Sequence, residues 1–356
     1  MDTKIIRMDE ENIDMQTVKM AGNIIKSGGL VAFPTETVYG LGGDALNSSS
    51  SKKIYAAKGR PSDNPLIIHI VEMSAFSQIV RKIPKAAYQL AEKYWPGPLT
   101  MIFEKADCVP LETTGGLNTV AVRMPSNQIA REFIREAGGY VAAPSANRSG
   151  RPSPTVAKYV IEDLFGRIDM IIDGGQADIG LESTIIDLTG TSPMILRPGY
   201  ITEEMLRQVI GDVEADQTIM DDHAAQAPKA PGMKYKHYAP KGNLIIVEGE
   251  GRQVSTYINE KLSAFHKEGK RTGVIATDET AAGYLADSVK SAGEQGREEQ
   301  TAKCLFRILR EFDDEGIEII YAEGFKQKGV GQAVMNRLLK AAGHQVVRLS
   351  GENSSM

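Results

Sequence analysis

The sequence predicts a two-domain α/β protein, and three observations predict it. Short β-branched runs alternate with helical apolar periods across residues 1–210, which fits helices packed around a sheet with several orders of strand pairing open. The pattern dissolves from Gly211, where GDVEADQTIMDDHAAQAPKAPG is acidic, then rich in Ala and Pro, with no apolar period. Regular patterning returns at Asn243, and a chain of 356 residues has room for two buried cores. The expected organisation is a domain over 1–210, a linker over 211–242 and a smaller Rossmann-like α/β domain over 243–356.

In chain order, the first domain's strands are LVAF (30–33), LIIHI (66–70), LTMIF (99–103), TVAVR (119–123), YVAA (140–143), MII (170–172), TIIDL (184–188) and MIL (194–196). Each is short and rich in β-branched or aromatic residues. Helices are expected over 15–26, 49–57, 85–94, 128–137 and 202–210, where apolar residues recur at helical spacing. The second of these ends near Lys58, because Gly59 suits the left-handed position after a helix and Pro61 stops continuation. In the second domain, strands over 244–247, 272–276 and 317–321 accompany a helix marked by Ala302, Leu305, Phe306, Leu309 and Phe312.

Composition narrows the function classes. The net charge of −5 is spread evenly, so neither half is a basic arm and strong nonspecific RNA or DNA binding is not implied; a local basic patch stays open. Cys108 and Cys304 lie far apart with no CxxC, which argues against a zinc or redox pair and fits a reducing cytoplasm. MDTKIIRMDEEN lacks the apolar core of a signal peptide, and no stretch approaches the roughly 18 apolar residues of a membrane helix. A cytoplasmic protein without membrane association is expected.

The common catalytic signatures are absent: no GxxxxGK[ST], no HExxH, no GxSxG. GVGQAV (329–334) lacks a third glycine and reads as a helix-entry turn. Polar residues gather instead at four or five strand ends, and open α/β sheets bind ligands at strand C-terminal ends. AFPTETVYGLGGDA (32–45) offers the Thr35 and Thr37 hydroxyls, the Glu36 carboxylate and glycines that admit a ligand to the backbone; a plain glycine-rich connection fits as well. In KGRPSDNP, Lys58 and Arg60 sit at a fixed helix exit, where Arg60 presents a planar fork to phosphate and Lys58 a point charge. The bland reading, cations neutralising a helix C-terminus, is worth only ~0.3–1 kcal/mol. His69, inside LIIHI, is either a satisfied core histidine or a substrate contact. WPGPLT (95–100) reads as a rigid structural corner. Arg123, ending TVAVR, suits a carboxylate or phosphate clamp; the alternative is a surface ion pair of little worth.

VAAPSANRSGRPSPT (141–155) poses the sharpest question: nucleophile, phosphate cradle or simple turn. A nucleophilic Ser145 needs a positioned base, and its companions Asn147 and Ser153 do not titrate near neutrality. Hydroxyls, an amide and arginines suit an anion instead. DGGQADIGLESTIIDL (173–188) adds Glu182, Ser183 and Thr184 before a strand, and ILRPGYI (195–201) adds Arg197. No cluster of three metal ligands appears, so any metal would enter with phosphates, as Mg²⁺ does.

PTETVYGLGGDA, KGRPSDNPLIIH, WPGPLT, VAVRMPSN, APSANRSGRPSPT, ESTIIDL and ILRPGYI, in that order, resemble the YrdC-like threonylcarbamoyl-AMP synthases. The resemblance runs from about residue 14 to 200 and keeps the KxR pair (Lys58, Arg60) and the SxN pair (Ser145, Asn147) of that family. The C-terminal region is similar to that of the long form, and KYKHYAPKG (234–242) resembles the long form's segment that folds back over the active site. The resemblance implies a YrdC-like twisted mixed sheet with helices around a concave site. It also implies the condensation of L-threonine, bicarbonate or CO₂ and ATP to threonylcarbamoyl-AMP and pyrophosphate. That product serves threonylcarbamoylation of the anticodon-loop adenosine in tRNAs reading ANN codons, completed by a separate transferase complex.

By that resemblance Lys58, Arg60, Asn64, Thr119, Ser145, Asn147, Ser153 and Arg197 surround ATP, with Tyr238 capping the nucleotide from the returning linker. Thr37, His69, Arg123, Ser183 and the Ala143 backbone surround L-threonine, with Arg123 on its carboxylate. Two alternatives remain at this level: a module that binds double-stranded RNA or tRNA, and a serine hydrolase centred on Ser145.

Overall fold

A computed structural model describes residues 2–216 and 237–349 of the protein. They fall into two units, one of residues 2–149 and 153–216, the other of 150–152 and 237–349.

The first unit is built on strands β1 (Lys4–Arg7), β2 (Val31–Phe33), β3 (Gly40–Asp44), β4 (Ile67–His69), β5 (Leu99–Glu104), β6 (Thr119–Arg123), β7 (Val141–Ala142), β8 (Met170–Asp173), β9 (Thr184–Asp187), β10 (Met194–Arg197) and β11 (Glu214–Ala215). They form one mixed sheet in the order β1-β8-β2-β3-β7-β4-β6-β5-β9-β10-β11. Its helices are α1 (Met15–Lys26), α2 (Ser48–Lys58), α3 (Met73–Ile79), α4 (Lys85–Tyr94), α5 (Gln128–Glu136), α6 (Ala157–Leu164) and α7 (Glu203–Ile210). Asp14, Asn47, Asn127 and Thr202 cap α1, α2, α5 and α7 through their side chains, as short polar residues do at helix starts. Gly59 ends α2 at φ 62°, the left-handed geometry the sequence predicts.

β3 is a strand where the sequence suggests only a glycine-rich connection. Its glycines are there for packing: a Cβ on Gly42 would meet Val141 Cγ1 at 2.9 Å, and one on Gly40 would meet the Phe33 ring at 3.1 Å. Trp95 forms the expected corner, its indole donating to Leu99 O at 2.7 Å.

Strand periodicity sorts the side chains onto two faces. On one face Leu41, Ile68, Val122, Met101 and Ile186 pack with Ile54, Phe76, Leu90, Val160 and Leu206 from α2, α3, α4, α6 and α7. On the other, Val31, Phe33, Val141 and Ile172 pack with Val18 and Ile25 of α1 and Ile129 and Phe133 of α5. The second face continues across β4, because Val141 and His69 are register partners and Ile67 lies two residues from His69. Beyond that point its buried apolar cluster, Ile67, Ile102, Ala121, Ile185 and Leu196, consists of strand residues alone. The helices thus cover one face from β8 to β10 and the other only over its β1–β7 side.

The second unit contains β12 (Asn243–Glu248), β13 (Thr272–Ala276), β14 (Ser288–Ser291), β15 (Ile319–Glu323) and β16 (Val346–Arg348), with α8 (Gly251–Lys267), α9 (Glu298–Asp314) and α10 (Val330–Ala341). All its strand pairs are parallel, in the order β14-β13-β15-β12-β16. The alternating pattern expected of a Rossmann-like domain is met. β15 starts two residues later than the apolar run suggests, because Ile317 N turns back to Phe312 O at the end of α9. GVGQAV does open a helix, with Gly329 as its N-cap. Residues 150–152 belong to this unit because fully buried Arg310 donates to Pro152 O from both Nε (3.1 Å) and Nη2 (2.7 Å), while Ala239 N donates to Gly150 O. Among the described residues no helix is long and apolar enough to cross a membrane.

Candidate active site

Thirteen of the fourteen sequence-predicted site residues lie in the first unit, arranged in two polar zones. The first zone is the exit of α2. Lys58, only 3% exposed, donates from Nζ to the carbonyls of Ser145 and Asn147, each at 2.5 Å. Arg60 follows the left-handed Gly59 and grips Asn64, Nη2 to Oδ1 at 2.5 Å. The loop after β7 is held beside β3 by Leu41 N to Pro144 O and Ala146 N to Tyr39 O. Ser145 donates its hydroxyl to Asn147 Oδ1 at 2.5 Å. An amide oxygen accepts that bond but takes no proton, so this serine is not activated as a nucleophile.

The second zone lies on the sheet face that the helices leave uncovered. Arg123 ends β6 as the register partner of His69 on β4 and Thr100 on β5. Its Nη2 lies 2.7 Å from Glu36 Oε1, and both side chains are buried. Ser183 shares a hydrogen bond with Thr100 (2.7 Å) and accepts from Arg197 Nη2 (3.2 Å), while Arg197 Nε donates to Ser183 O (3.1 Å). Ser153 donates to Glu182 Oε1 at 2.6 Å. The PTET turn is fixed by Thr35 Oγ1, which meets Thr37 Oγ1 at 2.9 Å, and by Ile179 N and Gly180 N donating to Glu36 O and Thr37 O. Ala143 N donates to Ile67 O at 2.9 Å.

His69 is buried against the edge of Phe33, with Nδ1 3.2 Å from Ile67 O. Burial first, and the Arg123 charge second, lower its pKa to about 3. It is a neutral ring at physiological pH, a hydrogen-bonding group and not a proton shuttle.

The strand-end picture from sequence needs correction. Thr119 and Arg123 stand at opposite ends of β6 and share a face because they are four residues apart on a strand. What gathers the site is side-chain alternation over adjacent strands. Tyr238 lies in the second unit, buried at φ 63° and stacked on Phe306 with ring centroids 5.0 Å apart. Most of the linker expected to fold back, residues 217–236, lies outside the described residues. Thr100, Glu36 and Glu182 join the site without having been assigned to it. PTET and GLEST do signal the two carboxylates by placing each beside threonine or serine in a glycine-bounded turn, whereas Thr100 looks like any strand residue.

Comparisons with known proteins identify the family. Residues 23–199 match the Sua5/YciO/YrdC family model, described as "Telomere recombination", and residues 201–343 match "Threonylcarbamoyl-AMP synthase, C-terminal domain". Threonylcarbamoyl-AMP synthase of Pyrococcus abyssi is 46% identical over 342 residues, covering 95% of this chain and 98% of that one. The Bacillus subtilis enzyme of that name is 46% identical over 341 residues, covering 96% and 97%. The crystal structure of P. abyssi Sua5 complexed with L-threonine superposes with a TM-score of 0.91 at 45% identity, over 98% of this chain and 100% of that one. With sequence and fold matched along nearly the whole length, the chain belongs to the threonylcarbamoyl-AMP synthase family.

Proposed function

We propose that this chain condenses L-threonine, bicarbonate or CO₂ and ATP into threonylcarbamoyl-AMP, releasing pyrophosphate, for threonylcarbamoyladenosine formation in tRNAs. One observation carries the reading: in a chain matched end to end by such synthases, a cation-and-amide zone and a buried guanidinium belong to the same sheet unit. Lys58, Arg60, Asn64, Thr119, Ser145, Asn147, Ser153 and Arg197 bind ATP. Thr37, His69, Arg123, Ser183 and the Ala143 backbone bind L-threonine. Tyr238 and the linker over 211–242 close on the nucleotide, keeping water from the intermediates.

The chemistry needs placement more than a nucleophile. Threonine's ammonium gives up a proton to solvent, the free amine adds to CO₂ with loss of a second proton to form the carbamate, and a carbamate oxygen then attacks the α-phosphorus. The bond from that phosphorus to the bridging oxygen breaks, and pyrophosphate leaves. Correct positioning of such reactants contributes ~7–11 kcal/mol without a covalent enzyme intermediate. Lys58 and Arg60 offset charge on the phosphates, and Ser145 and Asn147 supply neutral polar contacts. Mg²⁺ enters with ATP. Among the described residues no group of three or more His, Cys, Asp or Glu is placed to hold a metal, so phosphate oxygens and water would supply most of its ligands. The adenylate passes to a separate transferase complex acting on tRNA.

The test is pyrophosphate release with each substrate omitted in turn. Release only when ATP, L-threonine and bicarbonate are all present is expected; ATP consumption indifferent to threonine refutes the reading. Steeply salt-dependent RNA affinity with no turnover would favour an RNA-binding module.

A further inference from the structure

Glu36 is a buried charge whose hydrogen-bonding capacity is unused. It is 6% exposed and its partner Arg123 4%. The 2.7 Å contact between Glu36 Oε1 and Arg123 Nη2 is poorly aligned: neither Glu36 oxygen, nor Arg123 Nε or Nη2, has a hydrogen-bond partner among the described residues. Buried polar atoms are nearly always bonded, and a buried ion pair repays its desolvation only when those bonds are complete. The atoms left over are informative. Arg123 Nε and Nη2 form one edge of the guanidinium, the edge that grips a carboxylate with two parallel bonds. Glu36 presents both oxygens beside it. The backbones are fixed, Arg123 by β4 and β5 on either side, Glu36 by Ile179 N on its carbonyl and by Thr37 N and Val38 N on Thr35 Oγ1.

We propose that Glu36 binds the ammonium group of the amino-acid substrate while Arg123 takes the carboxylate of the same molecule. The inference rests on reading this face as the L-threonine site. An α-amino acid carries one positive and one negative charge, as the Glu36–Arg123 pair does. Its entry replaces one incomplete buried ion pair with two complete ones at no change in buried net charge. A hydroxy acid or a simple anion satisfies Arg123 and leaves the Glu36 carboxylate buried and unpaired, so the pair selects zwitterions. Neighbouring His69 is neutral and adds no competing charge.

The experiment is calorimetric titration of the full chain with L-threonine, with (3R)-3-hydroxybutyrate, which lacks the ammonium, and with L-threoninol, which lacks the carboxylate. Glu36→Gln is expected to weaken L-threonine and L-threoninol by about 10- to 100-fold and to tighten 3-hydroxybutyrate, whose binding no longer strands a buried carboxylate. Unchanged ATP affinity reports that the unit is folded. Should Glu36→Gln not fold, Glu36→Asp keeps the charge with a shorter reach and is expected to show the same selectivity at reduced size. Wild-type threonine affinity in the folded variant, or equal loss for all three ligands, overturns the proposal. Arg123→Gln separates this from the underlying reading: it is expected to lose L-threonine and 3-hydroxybutyrate and to keep L-threoninol. If Arg123→Gln binds L-threonine normally, the face is not the threonine site.

Discussion

Lys58 anchors the loop in the zone proposed to bind ATP. Its ammonium is buried and donates to two carbonyls of the 145–147 loop at 2.5 Å each. A hydrogen bond from a charged donor contributes about 1.5–3 kcal/mol, and a buried carbonyl left without a partner costs about 1–3 kcal/mol. Lys58→Met keeps the length of the stem and removes both bonds. The low end, about 3 kcal/mol for the two together, sets the cost of re-ordering the loop on binding ATP, and if all of it falls on that step kcat/KM for ATP drops about 100-fold. On the proposed reading, the loop that presents Ser145 and Asn147 to phosphate loses its anchor at the same time as the phosphates lose a cation. Pyrophosphate release at saturating L-threonine and bicarbonate, with ATP varied, reads the effect, and L-threonine affinity should stay within threefold of wild type. Lys58→Arg is expected to rescue poorly, because a planar fork does not reproduce the approach of one nitrogen to two carbonyls. A Lys58→Met enzyme whose kcat/KM for ATP stays within threefold of wild type would refute this reasoning.

Arg60→Ala should reduce ATP turnover far more than Lys52→Ala, since Arg60 orients Asn64 at the helix exit and Lys52 only pairs with Glu112 across an exposed surface; equal effects in the pyrophosphate assay would displace the exit from the site. His69→Gln should remove a pH dependence of stability. With the folded pKa near 3 and the unfolded value at 6.5, the unfolded chain binds the extra proton between them, so stability is full above pH 6.5 and declines by up to ~1.4 kcal/mol per unit as pH falls toward 3. Urea melts of both proteins at pH 7 and pH 5 measure it, and parallel slopes would be evidence against a neutral buried ring. Phe306→Ala should destabilise the second unit by about 3–5 kcal/mol, because the ring is fully buried and supports the stacked Tyr238; a thermal melt unchanged within a degree or two would contradict that packing.

Much of the fold was legible because the strongest signals are local. Helices 15–26 and 85–94 and strands 119–123 and 272–276 match the structure to the residue. What escaped reading was set by tertiary contacts. β3 is GLGGD, a poor strand by propensity, and it exists because Phe33 and Val141 pack where its side chains would be. β11 has two exposed residues and is defined only by pairing with β10. Residues 150–152 read as part of one stiff loop, yet a buried arginine about 160 positions later claims them for the other unit.

The site shows the same division between chemistry and placement. Residue types pointed to a surface for an anion: Lys58 and Arg60 at a capped helix exit, Ser145 and Asn147 in a proline-stiffened loop, Arg123 closing a strand. Their placement followed a different rule from the one assumed. Ligands of parallel α/β sheets collect beyond strand C-termini, but here antiparallel neighbours such as β7 and β4 run the strand ends in opposite directions. A mixed sheet has no single end at which all loops meet. It has faces, and a period of two puts Ile67, His69, Thr119, Ala121 and Arg123 on the same one. Covering only half of that face with α1 and α5 leaves a floor of strand residues rimmed by Thr100, Ser183, Arg197 and the PTET turn. The buried Glu36–Arg123 pair follows from that geometry. A carboxylate carried by a turn above that sheet face meets an arginine rising from it, in a contact that leaves Arg123 Nε and Nη2 without a hydrogen-bond partner among the described residues.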